Sequence, residues 1–101
     1  MLKHMVMFKK KPATDDATIA EIMRRLEALH GQIPGLTFIK CYRSLPSERP
    51  VVWTFILDST LERTEQLADY IAHPAHVAVN EWMSPYLESR AVIDYEVPSN
   101  N

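Results

Sequence analysis

A single cysteine in 101 residues, Cys41, excludes any disulfide within the chain and fits a reducing, cytoplasmic setting. Set in an apolar run, it reads as a small buried hydrophobe rather than a nucleophile. No stretch approaches the ~20 consecutive apolar residues that a membrane span needs. The opening Met1 to Phe8 is too short and too interrupted for the apolar core of a signal peptide. Charge of one sign is also missing: 11 Lys and Arg stand against 13 Asp and Glu, a formal net charge of −2. With a pI near 6.0, the chain has no general attraction for nucleic acid or an anionic membrane. Lys9-Lys10-Lys11 is a local basic run where the first strand leaves the sheet, and it reads as a solvated edge. There are no repeats and no low-complexity segments. Glycine occurs twice, at Gly31 and Gly35.

What is present describes one globular domain over residues 1–101, 47% hydrophobic and 24% charged, with a core of ordinary size. Alternation over about residues 3 to 9 places His4, Val6 and Phe8 on one face of a strand and Met5 and Met7 on the other. After Pro12, Thr14 is the expected cap of a helix whose first turn holds Asp15 and Asp16. Ile19, Ile22, Met23, Leu26 and Leu29 form its apolar stripe, Arg24 and Arg25 its wet face, and Gly31 a left-handed stop. Pro34-Gly35 turns into a second strand over about 36 to 43. A Pro-containing loop, 44 to 50, leads to a third strand expected over about 51 to 58, with Val51, Trp53, Phe55 and Leu57 opposite Val52, Thr54 and Ile56. A second helix is expected over 62 to 72, with Leu67, Tyr70 and Ile71 inward. A third follows over about 75 to 83, with Val79 and Trp82 on its buried side and His76 a candidate to join them. The last strand spans about 90 to 97, aligning Ala91, Ile93, Tyr95 and Val97, and residues 98–101 form a loose tail.

The order strand, helix, strand, strand, helix, strand predicts an α+β fold, a ferredoxin-like βαββαβ plait with a four-stranded antiparallel sheet. Two helices cover one face of such a sheet, and the other face should then be polar in a monomer. Here it is apolar on strands one and three, through Met5, Met7, Val52 and Ile56. A homodimer packed through this face, or through the opposite one, would bury side chains worth ~1.5–3 kcal/mol each.

Chemistry concentrates in Tyr70-Ile71-Ala72-His73-Pro74-Ala75-His76, where a phenol and two of the four histidines crowd a helix–Pro–helix break. An imidazole with pKa near 6.5 takes a proton at neutral pH, and a phenol near 10 hydrogen-bonds a developing oxyanion. His73 near a helix end is suited to capping the last carbonyls. The two histidines flank a proline without a neighbouring acidic ligand pattern, so no metal site is expected. No cofactor is implied. His30, at the end of the first helix, is expected to be exposed.

Lys3-His4-Met5-Val6-Met7-Phe8-Lys9, Gly31-Gln32-Ile33-Pro34-Gly35-Leu36, the Tyr70–Val77 segment and Val92-Ile93-Asp94-Tyr95-Glu96-Val97 together resemble the stress-responsive A/B barrel (Dabb) domain family over almost the whole chain. The resemblance implies a dimeric α+β barrel of two ferredoxin-like subunits. It implies little about activity, since members range from stress-induced proteins to a plant polyketide cyclase. Likeness to that cyclase assigns catalytic roles to Tyr70, as oxyanion partner, and His76, as base, with His4 as an orienting pocket group. A further pocket histidine of the cyclase is replaced here by Phe55. Phe55, His73 and Trp82 join His4 as candidate ligand-binding residues. The expected occupant is a small apolar molecule held between sheet and helices; the alternative is a cofactor-free, aldol-type cyclase.

Overall fold

The computed structural model describes residues 1–98; residues 99–101, most of the tail expected to be loose, lie outside the described residues. Eight elements follow one another: β1 (Leu2–Lys10), α1 (Asp16–Glu27), β2 (Leu36–Arg43), β3 (Phe55–Leu61), α2 (Gln66–Ala72), α3 (Pro74–Met83), a 3-10 turn (Ser84–Tyr86) and β4 (Leu87–Glu96). The sheet runs β2–β3–β1–β4 with every neighbouring pair antiparallel. This is the expected ferredoxin-like plait, with the second helix broken in two at His73-Pro74.

The β1 alternation decides which face is covered. His4, Val6 and Phe8 are buried beneath the helices together with Leu57 from β3, Cys41 from β2, and Ile19, Ile22 and Leu26 from α1. Gly31 at φ 86° and Gly35 at φ 84° supply the left-handed backbone between α1 and β2. Gly35 has a second reason to lack a side chain: an added Cβ would lie 2.4 Å from the Gln66 amide.

Several boundaries differ from expectation, each for a local reason. Asp15, not Thr14, caps α1, its carboxylate accepting from Thr18 N at 2.8 Å. Thr14 is instead buried and donates its hydroxyl to the Tyr86 carbonyl at 2.7 Å, tying the start of α1 to the end of the 3-10 turn. Arg25 leaves the wet face and lays its guanidinium over the Trp82 ring at 3.8 Å. β3 begins at Phe55 rather than Val51 because Thr54 is the pivot where pairing starts. Its N–H donates to Phe8 O at 2.7 Å, its carbonyl accepts from Ser44 N at 3.0 Å, and its hydroxyl accepts from Lys10 N at 2.9 Å. Val51, Val52 and Trp53 leave the ladder, and β3 runs on to Leu61. α2 starts at Gln66, not at 62, because Glu62 N is committed to Gly35 O at 2.9 Å and the Gln66 side chain accepts from Arg63 N at 2.9 Å. β4 begins three residues early, at Leu87, where its pairing with Lys10 bulges.

The other face of the sheet is bare. Met5, Met7, Ile56, Phe38, Tyr42, Ile93 and Tyr95 share it in register. Ile93 is 62% exposed, Tyr42 50% and Met7 37%. The 44–53 loop borders this face, and with Met7, Tyr42, Trp53 and Ile56 it frames a hollow of about 530 Å³. His30 is exposed, as expected.

Candidate functional site

On the covered side, the helix break and the inner face of the sheet enclose a smaller cleft of about 280 Å³. Its walls are mostly apolar, from Val6, Phe8, Leu57, Ile71, Met83 and Val92. Five polar side chains interrupt them: His4, His76, Asn80, Arg90 and Asp94.

His73 creates the break. It ends α2 with extended backbone and starts α3, its Nδ1 accepting from Ala75 N at 3.1 Å, with Pro74 in the first helical position. It thus caps the start of α3, where a cap of the last α2 carbonyls was expected. The accepting nitrogen carries no proton.

One turn on, His76 reaches back, and its Nδ1–H donates to the Ile71 carbonyl at 3.0 Å. That bond fixes the tautomer, leaving the Nε2 lone pair unspent. Burial lowers the His76 pKa, partly offset by the Ile71 bond, and the neighbouring basic side chains of His4, Arg90 and His73 disfavour its protonation further. The imidazole is therefore neutral at pH 7.

His4 donates from Nδ1 to Asp94 Oδ1 at 2.5 Å, across the β1–β4 pair that aligns the two residues. Asp94 thus orients the imidazole. The Tyr70 ring lies between the two histidines, its centroid 5.5 Å from His4 and 4.7 Å from His76. Tyr70 is 1% exposed, and its hydroxyl is buried with no hydrogen-bond partner among the described residues. Burial, with a smaller contribution from nearby Cys41, pushes its pKa up to about 12, so it stays a proton donor at any physiological pH. Cys41 itself is buried and its thiol pushed up to about 12, chiefly by burial, which makes it unreactive as a nucleophile.

The structure thus brings His4, Tyr70 and His76 together, with His4 and His76 on the cleft wall. Phe55 is buried and stacked on Phe8 at 4.8 Å, behind that wall. Trp82 stands between Arg25 and Tyr86, away from the cleft, and His73 is occupied as a cap. Asn80, Arg90 and Asp94 belong to the cleft but carry no local motif that singles them out in the sequence. Among the described residues no group of three or more His, Cys, Asp or Glu is placed to hold a metal ion. No helix among them is long and apolar enough to cross a membrane.

A family model, the stress responsive A/B barrel domain, matches residues 2–97. The chain is a Dabb domain. A stress-response A/B barrel domain-containing protein of Arabidopsis thaliana is 45% identical to this Dabb domain over 99 residues, covering 97% of this chain and 91% of that protein. Olivetolic acid cyclase of Cannabis sativa is 26% identical over 95 residues, covering 93% of this chain and 94% of the cyclase. Among solved structures, a dimeric protein of ferredoxin-like fold from Bacteroides fragilis superposes with a TM-score of 0.78 at 26% identity, covering 95% of each chain.

Proposed function

We propose that this Dabb domain is a homodimer in which each copy holds a small, largely apolar molecule in the cleft between its helices and the inner face of its sheet. The observation that carries the reading is His76, a neutral imidazole with one nitrogen spent on Ile71 and the other free, set in an otherwise apolar hollow. A hollow of this kind with a few convergent polar groups is what small-molecule sites have in common. A volume of about 280 Å³ equals that of roughly nine liquid waters, which suits a compact ligand.

The dimer is supported by the bare face. Met7, Tyr42, Phe38, Ile56, Ile93 and Tyr95 would remain wet in a monomer, and burying each is worth ~1.5–3 kcal/mol. A second copy laid sheet to sheet covers them symmetrically, and the related Bacteroides protein is itself dimeric. Sedimentation at micromolar concentration should give twice the 11.6 kDa chain mass. A lone 11.6 kDa particle would overturn the assembly.

A second reading, cofactor-free ring closure of a poly-β-ketone, is favoured by the contact between His76 and Tyr70 and by the cyclase relationship. In it His76 Nε2 takes a proton from a carbon flanked by carbonyls. The released electron pair forms the carbon–carbon bond to a second carbonyl, and the oxyanion that results accepts from the Tyr70 hydroxyl, which lies behind the cleft wall and must be uncovered to reach it. His4, held by Asp94, orients the substrate carbonyl. A thermal-shift screen of small ketides and aromatic compounds on the wild type, His76→Ala and Tyr70→Phe tests both readings. A hit lost in His76→Ala supports the pocket. Turnover of a ketide that Tyr70→Phe abolishes, with binding kept, selects the enzyme. Indifference of every hit to both substitutions rejects the site.

A further inference from the structure

Arg90 has no role in either reading above, and its setting is unusual for a strand arginine. It lies on the inner face of β4, paired across from Phe8, and lines the cleft. Its guanidinium is drawn over the Phe8 ring at 5.2 Å. One terminal nitrogen donates to Asn80 Oδ1 at 2.7 Å and the other to Ser84 Oγ at 3.2 Å. Asn80 lies in the last turn of α3 and Ser84 opens the 3-10 turn that follows, so the side chain is held in place before any ligand arrives. Neither anchor is a carboxylate, and among the described residues Arg90 forms no ion pair. Asp94, the one carboxylate among the described residues that line the cleft, bonds to His4 at 2.5 Å and not to Arg90. Arg90 is an exposed residue that lines the cleft with its guanidinium partly desolvated, and a guanidinium fork fixed in this way suits two-pronged binding of a carboxylate.

From this arrangement we infer that the ligand of the cleft carries a carboxylate, held by Arg90, on an apolar body that lies along Phe8, Leu57, Val92 and Met83. The inference rests on the reading of the cleft as a ligand pocket and names the class of its occupant. Arg90 retains donors beyond the two it spends on Asn80 and Ser84, and the apolar walls begin beside it at Phe8. A neutral molecule of the same shape offers the guanidinium no charge-assisted bond, so discrimination against it belongs to this residue. A carboxylate held at Arg90 leaves the rest of the ligand in the cleft that His76 also lines.

The test uses a matched pair of probes, octanoate and 1-octanol, titrated into the ¹⁵N-labelled 101-residue chain and followed at the Ile71, His76 and Val92 amides. The wild type should bind octanoate at least tenfold more tightly than 1-octanol. Arg90→Leu should erase that preference while keeping or improving 1-octanol binding, which also shows that the variant is folded. Equal binding of both probes to the wild type, or an octanoate preference that survives in Arg90→Leu, overturns the carboxylate assignment but leaves the pocket standing. Silence of the three amides toward both probes overturns the pocket reading, and the assignment with it.

Discussion

The buried, unpartnered hydroxyl of Tyr70 makes Tyr70→Phe a stabilising substitution. Taking a hydroxyl out of water without a compensating bond costs ~1–3 kcal/mol on the evidence of protein variants, and Tyr70 is 1% exposed with its oxygen unpaired. Removing that oxygen leaves a hollow smaller than one water, which at ~24 cal/mol per Å³ costs only a few tenths of a kcal/mol. The ring contacts with His4 and His76 survive in phenylalanine. The balance is a gain of about 1 kcal/mol, or a rise in Tm of roughly 4–8 °C for a domain this size. Urea unfolding of both proteins at one concentration reads it, so that any dimer linkage is held constant. A loss of 1 kcal/mol or more would refute the reasoning, because it would mean that the hydroxyl has a bond in solution. A chain that keeps a destabilising hydroxyl at the helix break is keeping it for something other than stability.

Alkaline titration should weaken the fold in a defined window. The pKa values of Tyr70 and Cys41 are both raised to about 12 in the native state. Below their unfolded values the native state loses nothing, but from about pH 9 upward the unfolded chain releases protons that the folded chain retains. Stability should therefore fall between about pH 9 and 12, and Tyr70→Phe should make that fall shallower; a flat profile to pH 12 would contradict the burial of both groups. His76 has a lowered pKa, so its contribution is present above the unfolded value near 6.5 and lost as pH falls. His76→Gln should flatten the acid limb of the unfolding midpoint plotted against pH. Gly35→Ala should destabilise by about 1–3 kcal/mol, since a non-glycine residue must adopt positive φ and its Cβ collides with Gln66; an unchanged urea midpoint would show that the turn relaxes freely. His73→Ala should cost ~0.5–2 kcal/mol for the lost cap of α3, and His73→Asn should recover most of it.

The period-two pattern of β1 and the three- and four-residue spacing of α1 marked the covered face because burial alone determines them. The start of β3 was not legible in that way. Val51 and Trp53 continue the apolar alternation into a loop that borders the bare face, and only the three bonds of Thr54 show where pairing begins. The start of α2 was hidden similarly, since a contact with Gly35, distant in sequence, takes the Glu62 amide. At the site, Tyr70, His73 and His76 were visible because they are close in sequence. Arg90 was not, because an arginine in an amphipathic edge strand reads as a solvated residue, and only the fold brings Asn80 and Ser84 to its guanidinium.

The cleft and the bare face lie on opposite sides of a sheet one layer thick. Traffic of a small molecule past Val92 and Asp94 therefore need not disturb the seam between two copies, and the two pockets of a pair would face outward, away from each other. Pairing and occupancy become separable properties. Lesions that split the pair should leave the chemistry of each half intact, and emptying the hollows should leave the pair together.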